Sequence, residues 1–209
     1  TSIDWRSRAR ETAASTSAAD RVRSSSTAVA VTARPAASGY STTAAAPTAG
    51  LHLTDAVLAA CRARGVQVAP IELQVGLGTF RPITADRVED HPMHAERYRI
   101  ASATRDVLAD ATGQVVAVGT TVVRAVESWA ATGEAEGATS LFIRGDYPFA
   151  VVDRLLTNFH VPRSSLLALV ESFVGPGWKD LYATALHEGY RFLSFGDAML
   201  LDRRPGGTR

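Results

Sequence analysis

Apolar positions are unevenly spread along this chain, and their spacing changes with position. Before residue 47 large apolar side chains are few: Ile3, Trp5, Val22, Val29, Val31 and Tyr40. Ala, Ser, Thr and Arg fill the rest, a mixture that buries too little surface to offset its ordering entropy. Residues 1–46 therefore read as a low-complexity, mostly disordered leader, with a short strand over 27–32. From Leu53 onward helical and strand spacings alternate. Thr54 is placed as an N-cap for a helix reaching Arg64, and Gly65 is its stop. A strand over 66–75 follows, with Pro70 suited to an edge or a strand start. A short helix over 85–89, a strand over 96–100 and a helix capped by Ser102 and ending near Gly113 come next.

The second half repeats this alternation. Residues 115–118 read as a buried strand, leading through Gly119, Thr120 and Thr121 into a helix over 122–131 that Gly133 closes. A strand over 141–143 and core positions at 151–152 and 155–156 precede Pro162, which suits a first helical turn. Helices over 165–174 and 179–187 and strands over 191–195 and 198–201 complete the pattern. Strands alternating with helices of this length predict an α/β fold with a mixed, largely parallel sheet and flanking helices. The domain is expected over 47–202, followed by a loose tail over 203–209. There is no internal repeat.

Composition narrows this picture. The chain has 209 residues, 46% hydrophobic and 21% charged, as in an ordinary globular protein. No apolar run reaches the roughly 18–20 residues of a membrane span. The net charge of +1 gives no basic field that would argue by itself for nucleic acid. The basic residues are nearly all arginine, with Lys179 the single lysine. One cysteine, Cys61, excludes an internal disulfide and a cysteine-based zinc site, and its helical setting suggests an inert thiol in a reducing compartment.

Candidate chemistry lies in the polar loops, most of which follow strands. Gly119, Thr120 and Thr121 at a helix start suit an anion, or form an ordinary capped turn. Arg124 and Glu127 share a helix face and invite a salt bridge. Gly76-Leu77-Gly78, then Thr79, Phe80 and Arg81, would make a wall for a planar base, or merely a tight turn. His91 and His94 with Glu96 resemble half a metal site, although Pro92 works against a helical arrangement. Acid–base chemistry by either histidine is the stronger alternative. Asn158, His160 and Arg163 sit in one dense polar loop that would orient a ligand or fix itself. Asp197 is a ribose ligand or a turn former.

Together the loops carry a resemblance. The strings AAPTAGLHLT (45–54), VGLGTFRPI (75–83), HPMHAERY (91–98), VAVGTTVVRAVES (116–128), LLTNFHVPRSSLLALV (155–170) and YRFLSFGDAMLL (190–201) resemble, in order, the S-adenosylmethionine:tRNA ribosyltransferase-isomerase family of queuosine biosynthesis. The resemblance implies an α/β barrel-like catalytic domain. It implies transfer and isomerisation of the ribosyl group of S-adenosylmethionine onto 7-aminomethyl-7-deazaguanine at the tRNA wobble position. The products are epoxyqueuosine, adenine and methionine. S-adenosylmethionine is then a co-substrate, and no cofactor or metal is needed. The partners are S-adenosylmethionine and tRNA with the modified wobble base, with no membrane; a cytoplasmic monomer is expected.

Carried onto this chain, His94 or His91 becomes the base or acid, His160 a second proton carrier, and Glu96 and Glu127 charge partners of the sulfonium. Gly119, Thr120 and Thr121 with Arg124 would take the methionine carboxylate. Gly78, Thr79, Phe80 and Arg81 would face the nucleobase, and His52, Asn158, Arg163 and Asp197 would contact substrate. Three departures from the family pattern stand out. Gln74 occupies a position usually held by histidine, and Gly145-Asp146-Tyr147 replaces Pro-Gly-Tyr. Upstream, the family runs much longer and carries an inserted small β-barrel, which residues 1–46 do not match; truncation or a shifted upstream reading frame is expected.

Overall fold

A computed structural model describes residues 28–35, 48–74, 83–85 and 87–205. Among the described residues seven strands form one open sheet in the order β5-β3-β2-β1-β4-β6-β7. They are β1 (Val29–Pro35), β2 (Gln67–Gln74), β3 (Glu96–Arg99), β4 (Val115–Val118), β5 (Glu136–Thr139), β6 (Arg154–Asn158) and β7 (Ala198–Asp202). Strands β2, β1, β4 and β6 run parallel, while β3, β5 and β7 pair antiparallel at the two flanks. The sheet is thus mixed, with a parallel centre, and among the described residues it does not close into a barrel.

Among the described residues five α-helices flank it: α1 (Asp55–Ala63), α2 (Ser102–Ala109), α3 (Thr120–Thr132), α4 (Ser165–Val174) and α5 (Trp178–His187). Their ends follow from local chemistry. The Thr54 hydroxyl accepts the Val57 N–H at the start of α1, and Ser164 does the same for Leu167 in α4. Gly133 ends α3 in the left-handed conformation. Helix α3 is buried along most of its length and packs across β1, β2, β4 and β6 through Val122, Val123, Val126 and Trp129. Among the described residues no helix is long and apolar enough to cross a membrane.

Several expectations need correction. The strand expected over 27–32 is longer, and it lies at the centre of the sheet. Val29 and Val31 are fully buried between β2 and β4. The folded unit therefore recruits a strand from upstream of residue 47; the rest of the expected leader, 1–27 and 36–46, lies outside the described residues. Pro70 is interior to the sheet. It is tolerated because β3 pairs only with residues 72–74 of β2, and the Pro70 carbonyl turns to the Thr104 hydroxyl instead.

The strand expected over 141–143 is displaced to Glu136–Thr139, whose polar sequence suits a half-exposed edge. Residues 191–195 form a tight turn in place of a strand. The helix expected over 85–89 is a single 3-10 turn, Val88–Asp90. Ala101, not Ser102, is the N-cap of α2. The start of the expected loose tail is anchored: Arg203 donates to the Phe149 carbonyl at 2.7 Å, and Arg204 pairs with Asp146 at 2.8 Å.

Candidate functional site

The carboxyl ends of the parallel strands share one edge of the sheet. Strand β1 crosses over to β2 on one side, while β4 leads on to β6 on the other. The chain thus reverses its direction of winding between β1 and β4, where open α/β sheets hold ligands. Gly119 follows β4 at this point. Its φ of 101° is closed to residues with a side chain, and its N–H binds the Leu156 carbonyl at 2.8 Å. The next N–H groups open α3 with no side-chain cap. Thr120 and Thr121 are buried at that start. A short 3-10 helix, Thr48–His52, lies over the same edge, with the Ala49 methyl 3.8 Å from the place a Gly119 side chain would occupy.

Asn158, at the end of β6, joins three of the distant strings. It is 4% exposed, and its amide makes three contacts: the Thr48 hydroxyl at 3.3 Å, His52 Nε2 at 3.2 Å and the Asp197 carbonyl at 3.3 Å. Beside it opens a small cleft lined by Thr48, Asn158, His160, Ser164, Leu193 and Ser194. Thr48, Ser164, Leu193 and Ser194 were not singled out from sequence. Thr48 was legible as part of the string that contains His52, whereas Leu193 was hidden because it owes its place to a positive φ of 71°.

The Asp197 carboxylate closes the turn from Tyr190 onward. It accepts the Arg191 N–H at 2.7 Å and the Arg191 guanidinium at 3.2 Å. That backbone hydrogen bond, the largest cause, holds its pKa below the usual carboxylate value. Gly196 fits there because any side chain would strike the Arg191 carbonyl. The turn-forming reading of the Asp197 side chain is the one its contacts match; its backbone carbonyl is what reaches Asn158.

His160 is half-buried and shares a hydrogen bond of 3.0 Å with the Thr157 hydroxyl, while its own N–H donates to the Tyr182 oxygen. Burial pulls its pKa down to about 4. A ring so reluctant to take a proton argues against the expected proton-carrier role and leaves a neutral hydrogen-bonding one. Arg163 is exposed with a φ of 58°, and its carbonyl accepts the Ile83 N–H at 2.7 Å. Ile83 is thereby tied to this side of the edge. Gly78, Thr79, Phe80 and Arg81 themselves lie outside the described residues.

The β3 side is arranged differently. Arg124 is 3% exposed and turns inward. It pairs with Glu96 at 2.7 Å and donates to the carbonyls of Leu141, His94 and Thr139. Burial lowers its pKa and the Glu96 charge raises it again. Four of its five N–H donors are engaged inside the protein, which argues against the expected contact with a substrate carboxylate, and the Glu96 carboxylate is turned to Arg124. Nor does Arg124 pair with Glu127. That carboxylate is 1% exposed and accepts the N–H groups of Ala150, Val151 and Val152 at 2.8–3.0 Å. Burial pushes its pKa up and the three N–H groups oppose the shift. Both acids and the arginine are scaffold.

His94 is exposed just before β3, and His91 is half-buried with its ring edge-on to Phe142 at 5.8 Å. With Glu96 committed to Arg124, the metal reading loses its carboxylate. Among the described residues no group of three His, Cys, Asp or Glu side chains is placed to hold a metal. His94 is four strand intervals from Asn158, about 19 Å along the sheet. The structure thus brings His52, Asn158, Asp197 and His160 together and keeps His91 and His94 apart from them. Cys61, in α1, is a half-buried free thiol.

A parallel-centred sheet with polar loops gathered at its carboxyl edge defines a ligand-binding α/β domain. The protein family described as "Queuosine biosynthesis protein" matches residues 36–201. The chain is 52% identical over 160 residues to the S-adenosylmethionine:tRNA ribosyltransferase-isomerase of Rubrobacter xylanophilus, covering 76% of this chain and 48% of that protein. It is also 52% identical over 167 residues to the protein of the same name from Sorangium cellulosum, covering 75% and 45%. The crystal structure of S-adenosylmethionine tRNA ribosyltransferase from Thermotoga maritima superimposes with a TM-score of 0.60 at 39% identity, over 73% of this chain and 51% of that one. This chain belongs to the S-adenosylmethionine:tRNA ribosyltransferase-isomerase family of queuosine biosynthesis. It spans about half the length of the relatives it matches.

Proposed function

We propose that this domain binds S-adenosylmethionine and transfers its ribosyl group, with isomerisation, to 7-aminomethyl-7-deazaguanine at the wobble position of tRNA. The products are epoxyqueuosine, adenine and methionine. The observation that carries the reading is the convergence on Asn158 of strings far apart in sequence, at the ligand-binding edge of the sheet.

The chemistry assigns tasks to this edge. The sulfonium acidifies the neighbouring C5′ hydrogens, so a base there forms an ylide. The substrate amine attacks as the neutral species, and the departing adenine takes up a proton. The open N–H groups after Gly119 suit the methionine carboxylate, without Arg124. His94 and His91 are the candidates for proton transfer. His160 orients and does not shuttle. His52 and Asn158 face substrate from the β6 side. The chain acts as a monomer in the cytoplasm and needs no resident cofactor.

The test is incubation with S-adenosylmethionine and tRNA carrying the deazaguanine base, followed by assay of free adenine. Adenine release that needs both substrates is expected; none at any enzyme concentration would overturn the proposal. One competing reading is a domain that binds S-adenosylmethionine without turnover. Calorimetric binding without adenine release would establish that reading instead.

A further inference from the structure

The Asn158 amide is oriented by a partner that leaves it no choice. The Asp197 backbone carbonyl can only accept, and it lies 3.3 Å from Nδ2. Rotating the amide would set two oxygens against each other. The Thr48 hydroxyl donates to Oδ1 at 3.3 Å, which agrees with that orientation. One Nδ2 hydrogen therefore goes to Asp197, and the other is directed at His52 Nε2, 3.2 Å away. Asn158 is 4% exposed, so water is a poor substitute for either contact.

From this network we infer that Asn158 is a positioning residue that holds His52 as the neutral Nδ1–H tautomer, leaving Nδ1–H as a donor for an acceptor atom on the ligand. A proton on Nε2 would meet the amide N–H. The groups around the ring agree with this. The Asp197 carboxylate is near enough to feel a charge on His52, but it is already engaged by the Arg191 N–H and guanidinium. Among the described residues Nδ1 has no hydrogen-bond partner, and the ring is exposed. His52 thus serves the site as an oriented donor and not as a general acid acting through Nε2. The kind of ligand atom it takes is an acceptor, such as a carboxylate oxygen, a ribose oxygen or an unprotonated ring nitrogen. The tautomer stands independently of the functional reading above; the ligand contact rests on it.

Long-range proton–nitrogen NMR of the labelled chain tests the assignment, with His52 signals identified by their loss in His52→Gln. A protonated Nδ1 and a bare Nε2 are expected, and the reverse would overturn the inference. Asn158→Asp replaces the donor by an acceptor and should move the proton to Nε2. If that variant does not fold, the wild-type spectrum decides alone. For the ligand contact, an asparagine amide overlays Nδ1 and a glutamine amide overlays Nε2. His52→Asn should keep about tenfold more of kcat/KM for adenine release than His52→Gln, the scale of one hydrogen bond. Equal loss in both, or the opposite order, would overturn the donor role. An Nδ1–H spectrum in a chain that releases no adenine would remove the functional reading and leave the tautomer standing.

Discussion

The two flanks of the carboxyl edge carry similar polar residues and use them in opposite ways. On the β3 side, Arg124 and Glu96 are buried and answered by one another and by backbone carbonyls, while His94 stays at the surface. On the β6 side, Asn158 is equally buried, but its partners include an exposed histidine and a residue lining an open cleft. Charge turned inward fixes the frame; amides and rings held at the rim remain available. Polar density in a sequence does not separate the two, because the separation depends on which way each side chain turns.

Breaking the inward network should have the largest effect. Glu96→Ala strands a buried guanidinium and should cost about 3–5 kcal/mol in urea unfolding. Glu127→Ala leaves three N–H groups unanswered and should cost about 3 kcal/mol by the same measurement. Losses under 1 kcal/mol would show that these groups do not brace the fold.

His94→Ala should behave in the opposite sense. Adenine release is lost while the unfolding midpoint stays near that of the wild type, because the ring is exposed. Unchanged turnover would remove His94 from the chemistry.

Acid sharpens the comparison further. Folded His160 titrates at about 4, whereas the unfolded ring titrates near about 6.5. As pH falls through the upper value the unfolded state takes a proton that the folded state refuses, so stability is lost progressively down to the lower value. Carboxylates contribute to the same fall, so the informative quantity is the difference from His160→Gln, which should show a shallower loss across that window. Identical slopes would remove His160 as a cause. The smallest effect is expected at Phe195, which is 86% exposed. Phe195→Ser should shift stability by no more than about 0.5 kcal/mol.

Much of the frame was legible in the chain because its signals are local. The Thr54 cap and Gly65 stop of α1, the bounds of α4 and the Gly133 end of α3 each depend on a few adjacent residues. What was missed depends on distant partners. β1 lies in an Ala/Ser/Thr-rich stretch, so nothing local marks it as central; its burial comes from β2 and β4. Arg124 and Glu127 share a helix face, yet each is claimed from another element, Arg124 by β3 and Glu127 by the segment before β6. Residues 191–195, with Phe192, Leu193 and Phe195, read as a strand, whereas the backbone there is set by the Asp197 carboxylate and by the missing side chain at Gly196. The candidate site was readable as a set of loops. Its division into inward and rim-facing groups was not.

The most direct test of that division is adenine release by the wild-type chain and by Asn158→Ala, with S-adenosylmethionine and deazaguanine-bearing tRNA, at a temperature where circular dichroism shows both folded. The wild type is predicted to release adenine and the variant to lose at least about tenfold in kcat/KM, the scale of one hydrogen bond. Equal release by the two, or none by the wild type, would contradict the assignment of the β6 side as the working half of the edge.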